Sequence, residues 1–89
     1  MNIEYDSRKA VSNLKKHGVS FDEAATSLFD PMALAREDDD AQGEARYVAV
    51  GMSNAGHLLT VCYTLRNDET IRLISARMAT TNERRQYES

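Results

Sequence analysis

The residues of this 89-residue chain best suited to chemistry are basic side chains with a few proton carriers among them. Arg72 and Arg77 flank the last apolar run. Glu83, Arg84, Arg85 and Tyr87 follow it, and Lys16-His17 lies near the N-terminus. RNA cleavage without a metal needs a base for the 2′-hydroxyl proton, cations on the pentacovalent phosphate and an acid for the leaving 5′-oxygen. Arginine suits the phosphate because its planar fork donates paired hydrogen bonds and stays charged. Histidine is the usual proton carrier near neutral pH. Each residue also has a structural reading: His17 can complement a helix C-terminus, Glu83 can complete a cap, Arg84 and Arg85 can form a solvated helix face, and Tyr87 can pack. Spacing adds a condition. Arg72 and Arg77 are an odd number of residues apart, so on a regular strand they point to opposite faces. They share a site only if the strand bends, ends early or bulges, for instance at Ser75-Ala76.

The elements that must position these groups follow from periodicity and caps. Ile3-Glu4-Tyr5 alternates as a short strand. Ser7 to His17 reads as a helix with Ala10, Val11 and Leu14 on its apolar face, Asp6 or Ser7 at its start and Gly18 just past its end. Ser20-Phe21-Asp22-Glu23 is a capping-box pattern opening a second helix, whose apolar face is Phe21, Ala24, Ala25, Leu28 and Phe29, and which Asp30-Pro31 ends. Met32 to Ala35 suggests a short strand and residues 36–44 an exposed acidic loop. Strands are expected at Arg46 to Met52, His57 to Leu65 (Leu59, Val61, Tyr63 and Leu65 on one face) and Thr70 to Ala76, joined by short turns that imply antiparallel hairpins. Thr80-Thr81-Asn82-Glu83 repeats the capping pattern and opens a C-terminal helix through Tyr87. The order is β-α-α-β-β-β-β-α, an α+β fold with a small, mostly antiparallel sheet and helices packed on one face.

Composition bounds the function. The length fits one domain, residues 1–89. The net charge of −3 argues against nucleic acid at face value, yet five acids with no base lie between Glu37 and Glu44 (Glu37, Asp38, Asp39, Asp40 and Glu44). Setting that stretch aside leaves 11 bases against nine acids, so a basic face can coexist with an acidic loop. Cys62 stands alone within an apolar run and reads as a small buried hydrophobe. No metal-ligand spacing is present, and Asp38-Asp39-Asp40 lacks the alternation of a calcium loop, so no metal or cofactor is expected. There is no Gly-rich phosphate loop or nucleophile elbow. The N-terminus has no secretory pattern, no run is long enough for a membrane span, and the expected compartment is the cytoplasm.

Several segments together resemble the BrnT toxin family. They are Tyr5-Asp6 with Lys9, Asn13, Lys16-His17-Gly18-Val19 with Phe21, Glu23-Ala24-Ala25, Phe29-Asp30-Pro31, Gly43-Glu44 with Arg46, and Ile71 to Arg77 running into Glu83-Arg84 and Tyr87. The resemblance covers nearly the whole chain in order. It implies a RelE-like fold, RNA cleavage that stops translation and growth, and a BrnA-like antitoxin partner. The DNA-binding part of that partner is a ribbon-helix-helix dimer, so the complex reaches operator DNA through the antitoxin. The family often has Trp at the place of Tyr5 and Lys at the place of Met78. On this basis Arg72 and Arg77 are expected to hold the scissile phosphate, His17 to act as acid or base with Glu83 and Tyr87 behind it, and Lys16, Arg84 and Arg85 to track the RNA backbone. The rival expectations are a toxin-like scaffold that only binds antitoxin, and a small structural subunit with no nucleic-acid role.

Overall fold

The computed structural model describes residues 2–39 and 43–89, which form β1 (Asn2–Glu4), α1 (Ser7–His17), α2 (Phe21–Ser27), β2 (Leu34–Glu37), β3 (Arg46–Met52), β4 (Leu58–Arg66), β5 (Thr70–Met78) and α3 (Thr81–Glu88). This is the expected order. Local chemistry sets the helix ends. Asp6 accepts from the Arg8 amide to open α1, and Gly18, at φ 71°, closes it in the left-handed conformation that glycine adopts freely. The Ser20 hydroxyl accepts from the Glu23 amide at the start of α2. At α3 both halves of the capping box form, with Glu83 reaching back to the Thr80 amide. Among the described residues no helix is long and apolar enough to cross a membrane.

The strands make one five-stranded sheet in the order β1-β5-β4-β3-β2. The four later strands are antiparallel to their neighbours, and β1 pairs parallel with β5 through Asn2–Thr70, Ile3–Ile71 and Glu4–Arg72. The sheet is therefore mixed at one edge. One face carries the core: Leu59 and Val61 of β4, with Ile71, Leu73 and Ala76 of β5, pack against Phe21 and Ala24 of α2 and Val19 of the connection before it, with Ala10 of α1 beside them. Gly51 of β3 is held at its size there, because a Cβ would overlap the Ser27 carbonyl oxygen. The short α3 lies on the opposite face, where Glu83 and Gln86 line a groove with Leu34, Val48 and Val50.

Several sequence expectations need correction. In α1 the buried residue is Asn13, at 6% exposure, whereas Val11 and Leu14 are more than half exposed. The helix is turned by the polar bonds of Asn13 rather than by its apolar stripe. The second helix ends at Ser27 rather than running on to Phe29. Leu28, Phe29 and Asp30 donate to the carbonyls three residues back, which tightens the chain and leaves Phe29 65% exposed. The strand expected at Met32 to Ala35 lies two residues later, and Arg36 and Glu37 belong to it. Of the acidic loop, residues 40–42 lie outside the described residues. Leu65 is exposed at the far end of β4.

Candidate active site

The two arginines of β5 share a face because the strand bulges. Cys62 pairs with Ser75 and Tyr63 with Leu73, so Ile74 is an extra residue opposite one step of β4. The bulge lies just before the Ser75-Ala76 position that the spacing suggested. Beyond it the alternation is inverted, and Arg77 pairs with Thr60 on the same face on which Arg72 pairs with Thr64. Thr60 and Thr64 are four residues apart on β4, which at ~3.3 Å per residue separates the two rungs by roughly 13 Å. The arginines thus share a face but occupy different stations along it.

Arg77 is held by Glu83. Its Nη1 donates to Glu83 Oε1 at 2.8 Å and its Nη2 to Oε2 at 3.1 Å, with a further bond from Nη1 to the Met78 carbonyl at 3.2 Å. Glu83 Oε1 also accepts from the Thr60 hydroxyl and the Thr80 amide, each at 2.8 Å. The Arg77 guanidinium, helped by the Thr80 amide and the Thr60 hydroxyl, holds the Glu83 carboxyl down at about 2. A carboxylate this acidic is a weak proton acceptor at neutral pH and a strong anchor for a cation. The end-on edge of the guanidinium faces Glu83. Its other edge, Nε–H with the outer Nη2–H, makes no hydrogen bond among the described residues and can meet a bidentate anion.

This pairing has a pH signature. The folded-state value of Glu83 lies below that of a free glutamate, so its contribution to stability is complete above about 4.5. It fades as the pH falls from there toward 2, because the unfolded chain takes up a proton that the folded ion pair keeps off Glu83. In acid titrations of unfolding, wild type and Glu83→Gln are expected to differ most at neutral pH and to converge between pH 4.5 and 2. A constant difference across that window would show that the ion pair does not set the effect.

The other expected residues are more dispersed. Tyr87, one turn beyond Glu83, donates to Asp30 Oδ2 at 2.5 Å, and Asp30 also accepts from the Met52 and Met32 amides. This bond raises the Tyr87 phenol above its ordinary value and lowers Asp30. It ties α3 to the turn after α2. Arg84 and Arg85 are on the exposed side of α3, with Arg84 3.7 Å from Glu88. Lys16 is exposed and His17 half-buried at the end of α1, and neither side chain makes a hydrogen bond or ion pair among the described residues. Arg72 lies 3.7 Å from Glu4. The structure therefore brings Arg77 and Glu83 together, puts Arg72 on the same face, and engages Tyr87 elsewhere.

Some side chains acquire a setting that sequence alone did not supply. Asn13 binds the backbone of Ala76 and Val19. Lys9, Arg46 and Arg66 gather around Arg72 from α1, β3 and β4. Glu23 Oε2 accepts from Ser53 Oγ at 2.6 Å and lies 2.7 Å from His57 Nδ1, and these two bonds lower its carboxyl. This cluster fastens α2 to the β3–β4 turn, and no spacing signal marks it. Cys62 is half-buried on the face of Arg72 and Arg77. Burial raises its thiol above the ordinary value, which keeps it protonated.

Comparison with known proteins places this geometry. No curated protein matches the chain. The crystal structure of the Brucella abortus ribonuclease toxin BrnT is similar at 25% sequence identity and a TM-score of 0.66, over 91% of this chain and 99% of that one. The family model described as the ribonuclease toxin BrnT of type II toxin–antitoxin systems matches residues 5–83. With most of its length matched, this chain belongs to the BrnT family of ribonuclease toxins.

Proposed function

We propose that the protein is the toxin of a type II pair and a metal-independent endoribonuclease that stops translation and growth. The observation that carries this reading is Arg77, fixed by Glu83 on the sheet face opposite the core with one donor edge unoccupied among the described residues. That edge would bind the scissile phosphate and the charge that develops on it as the 2′-oxygen attacks phosphorus and the bond to the 5′-oxygen breaks. Glu83, already engaged by its partners, positions Arg77. The proton transfers fall first to His17, whose ring has no partner among the described residues, with Tyr87 available only if it leaves Asp30. Lys16, Arg84 and Arg85 offer exposed charge for the RNA backbone. The metal-free reading rests on the chemistry of the residues proposed for the site: arginine carries the phosphate charge and histidine the protons. A BrnA-like antitoxin with a ribbon-helix-helix part would neutralise the toxin and carry the complex to operator DNA.

Inducing the chain alone, with and without that antitoxin, tests this. Growth arrest with fragmented RNA is expected, relieved by the antitoxin, and the purified protein should cleave RNA equally well in EDTA. Cleavage lost in EDTA and restored by a divalent cation would overturn the metal-free mechanism. Normal growth and intact RNA with a folded, soluble product would favour the inactive scaffold. The feature that speaks for that second reading is Met78, an exposed apolar side chain beside Arg77 where a lysine is common in the family.

A further inference from the structure

A second basic station lies on the same face. Arg46 of β3 and Arg72 of β5 both pair with Thr64 of β4, so one rung of the sheet reads Arg46–Thr64–Arg72 across three strands. Lys9 from α1 and Arg66 complete a pocket over it. Two acids are near, Glu44 in the pocket wall and Glu4 at 3.7 Å from Arg72 and 3.8 Å from Arg66, both beyond hydrogen-bond range. None of the four cationic side chains makes a hydrogen bond among the described residues. Among the described residues, four cations thus gather against two acids at one place, in a chain of net charge −3. Thr64 supplies the independent observation. It is 3% exposed, and its hydroxyl is buried without a hydrogen-bond partner among the described residues. Buried polar groups are normally satisfied, and an orphan beneath a cluster of donors is explained by a missing acceptor.

We propose that this rung binds a phosphate of the RNA backbone other than the scissile one, with Arg46, Arg66, Arg72 and Lys9 as its ligands and the Thr64 hydroxyl as an additional donor. This rests on the ribonuclease reading above. The roughly 13 Å between the Thr64 and Thr60 rungs places the two phosphates at different nucleotides of one strand. Arg72 accordingly anchors substrate, and the transition-state charge is left to Arg77. The rung thereby fixes where along the strand the cut falls.

Anisotropy of a labelled 2′-O-methyl RNA, which lacks the attacking hydroxyl, separates binding from cleavage in the full-length protein. The Arg46→Ala/Arg66→Ala double variant is expected to bind about tenfold more weakly, a loss of ~1.4 kcal/mol. Its slope of log K against log salt is expected to flatten by about 0.7, the value of one single-strand phosphate. Thr64→Val removes the hydroxyl at constant shape, should fold at least as well, and is expected to bind severalfold more weakly. Unchanged affinity and slope in both variants, with wild-type melting curves, would overturn the proposal while leaving the ribonuclease reading intact. If wild type itself neither binds nor cleaves RNA, that reading fails, and this one with it. Weakened antitoxin binding with unchanged RNA binding would assign the rung to the partner protein and also overturn the proposal.

Discussion

Arg77→Ala is expected to lower the single-turnover rate of RNA cleavage by about 10²- to 10³-fold, the loss of ~3–4 kcal/mol typical when one donor to a developing oxyanion is removed. The size of the loss comes from preorganisation. Glu83 occupies the end-on edge of the guanidinium before substrate arrives, so the remaining edge is already aimed and little side-chain freedom is lost on binding. Arg77→Lys separates charge from geometry. A lysine keeps the cation but presents no planar fork to Glu83 and phosphate together, so it is expected to recover only a small part of the rate. Glu83→Gln leaves the arginine in place with a weaker anchor and should cost less than Arg77→Ala. If Arg77→Ala is folded and cleaves at the wild-type rate, the phosphate is held elsewhere, and the Arg72 rung becomes the first alternative.

The parts of this site legible in the sequence are those made by neighbours in the chain. Thr80 and Glu83 are three residues apart, and their reciprocal cap is written in that spacing; Asp6 and Gly18 bound α1 in the same way. What the spacing could not show was that the capping carboxylate has room for a guanidinium from β5 and a hydroxyl from β4. The odd spacing of Arg72 and Arg77 posed a definite question, and one inserted residue answered it. Ile74 leaves no mark of its own, because an apolar residue fits a regular strand as well as a bulged one. The Arg46–Thr64–Arg72 rung joins three strands whose register only the folded sheet sets. Hydrophobic periodicity misled where polar bonds decided the outcome. In α1 the stripe of Val11 and Leu14 pointed to the core, but the side turned inward is the one carrying Asn13.

Asn13→Ala is expected to be among the most destabilising substitutions in the chain, at about 3 kcal/mol. The reason is a gap in the sheet. β1 covers the edge of β5 at Thr70, Ile71 and Arg72, so farther along the strand Ala76 presents a backbone N–H and C=O with no neighbouring strand among the described residues. The Asn13 carboxamide supplies both partners: its Oδ1 accepts from the Ala76 amide at 3.0 Å and its Nδ2 donates to the Ala76 carbonyl at 2.8 Å. The same Nδ2 donates to the Val19 carbonyl at 2.9 Å, closing the turn into α2. Alanine would leave three backbone groups buried without partners and a small void as well. For a domain of this size the melting temperature should fall by roughly 15 °C, read by thermal or urea unfolding. Asn13→Asp tests the donor specifically. It can still accept from the Ala76 amide, but it sets a negative charge against two carbonyl oxygens, so it should be at least as damaging at neutral pH. A loss below about 0.5 kcal/mol for alanine would mean that water or a shifted strand satisfies the edge. Function follows from the same bonds. Lys9, Asn13 and His17 are spaced at i, i+4 and i+8 along one stripe of α1. Asn13 is therefore the pin that sets Lys9 against the Arg72 rung and fixes the position of His17, and a folded Asn13 variant should lose cleavage before it loses its secondary structure.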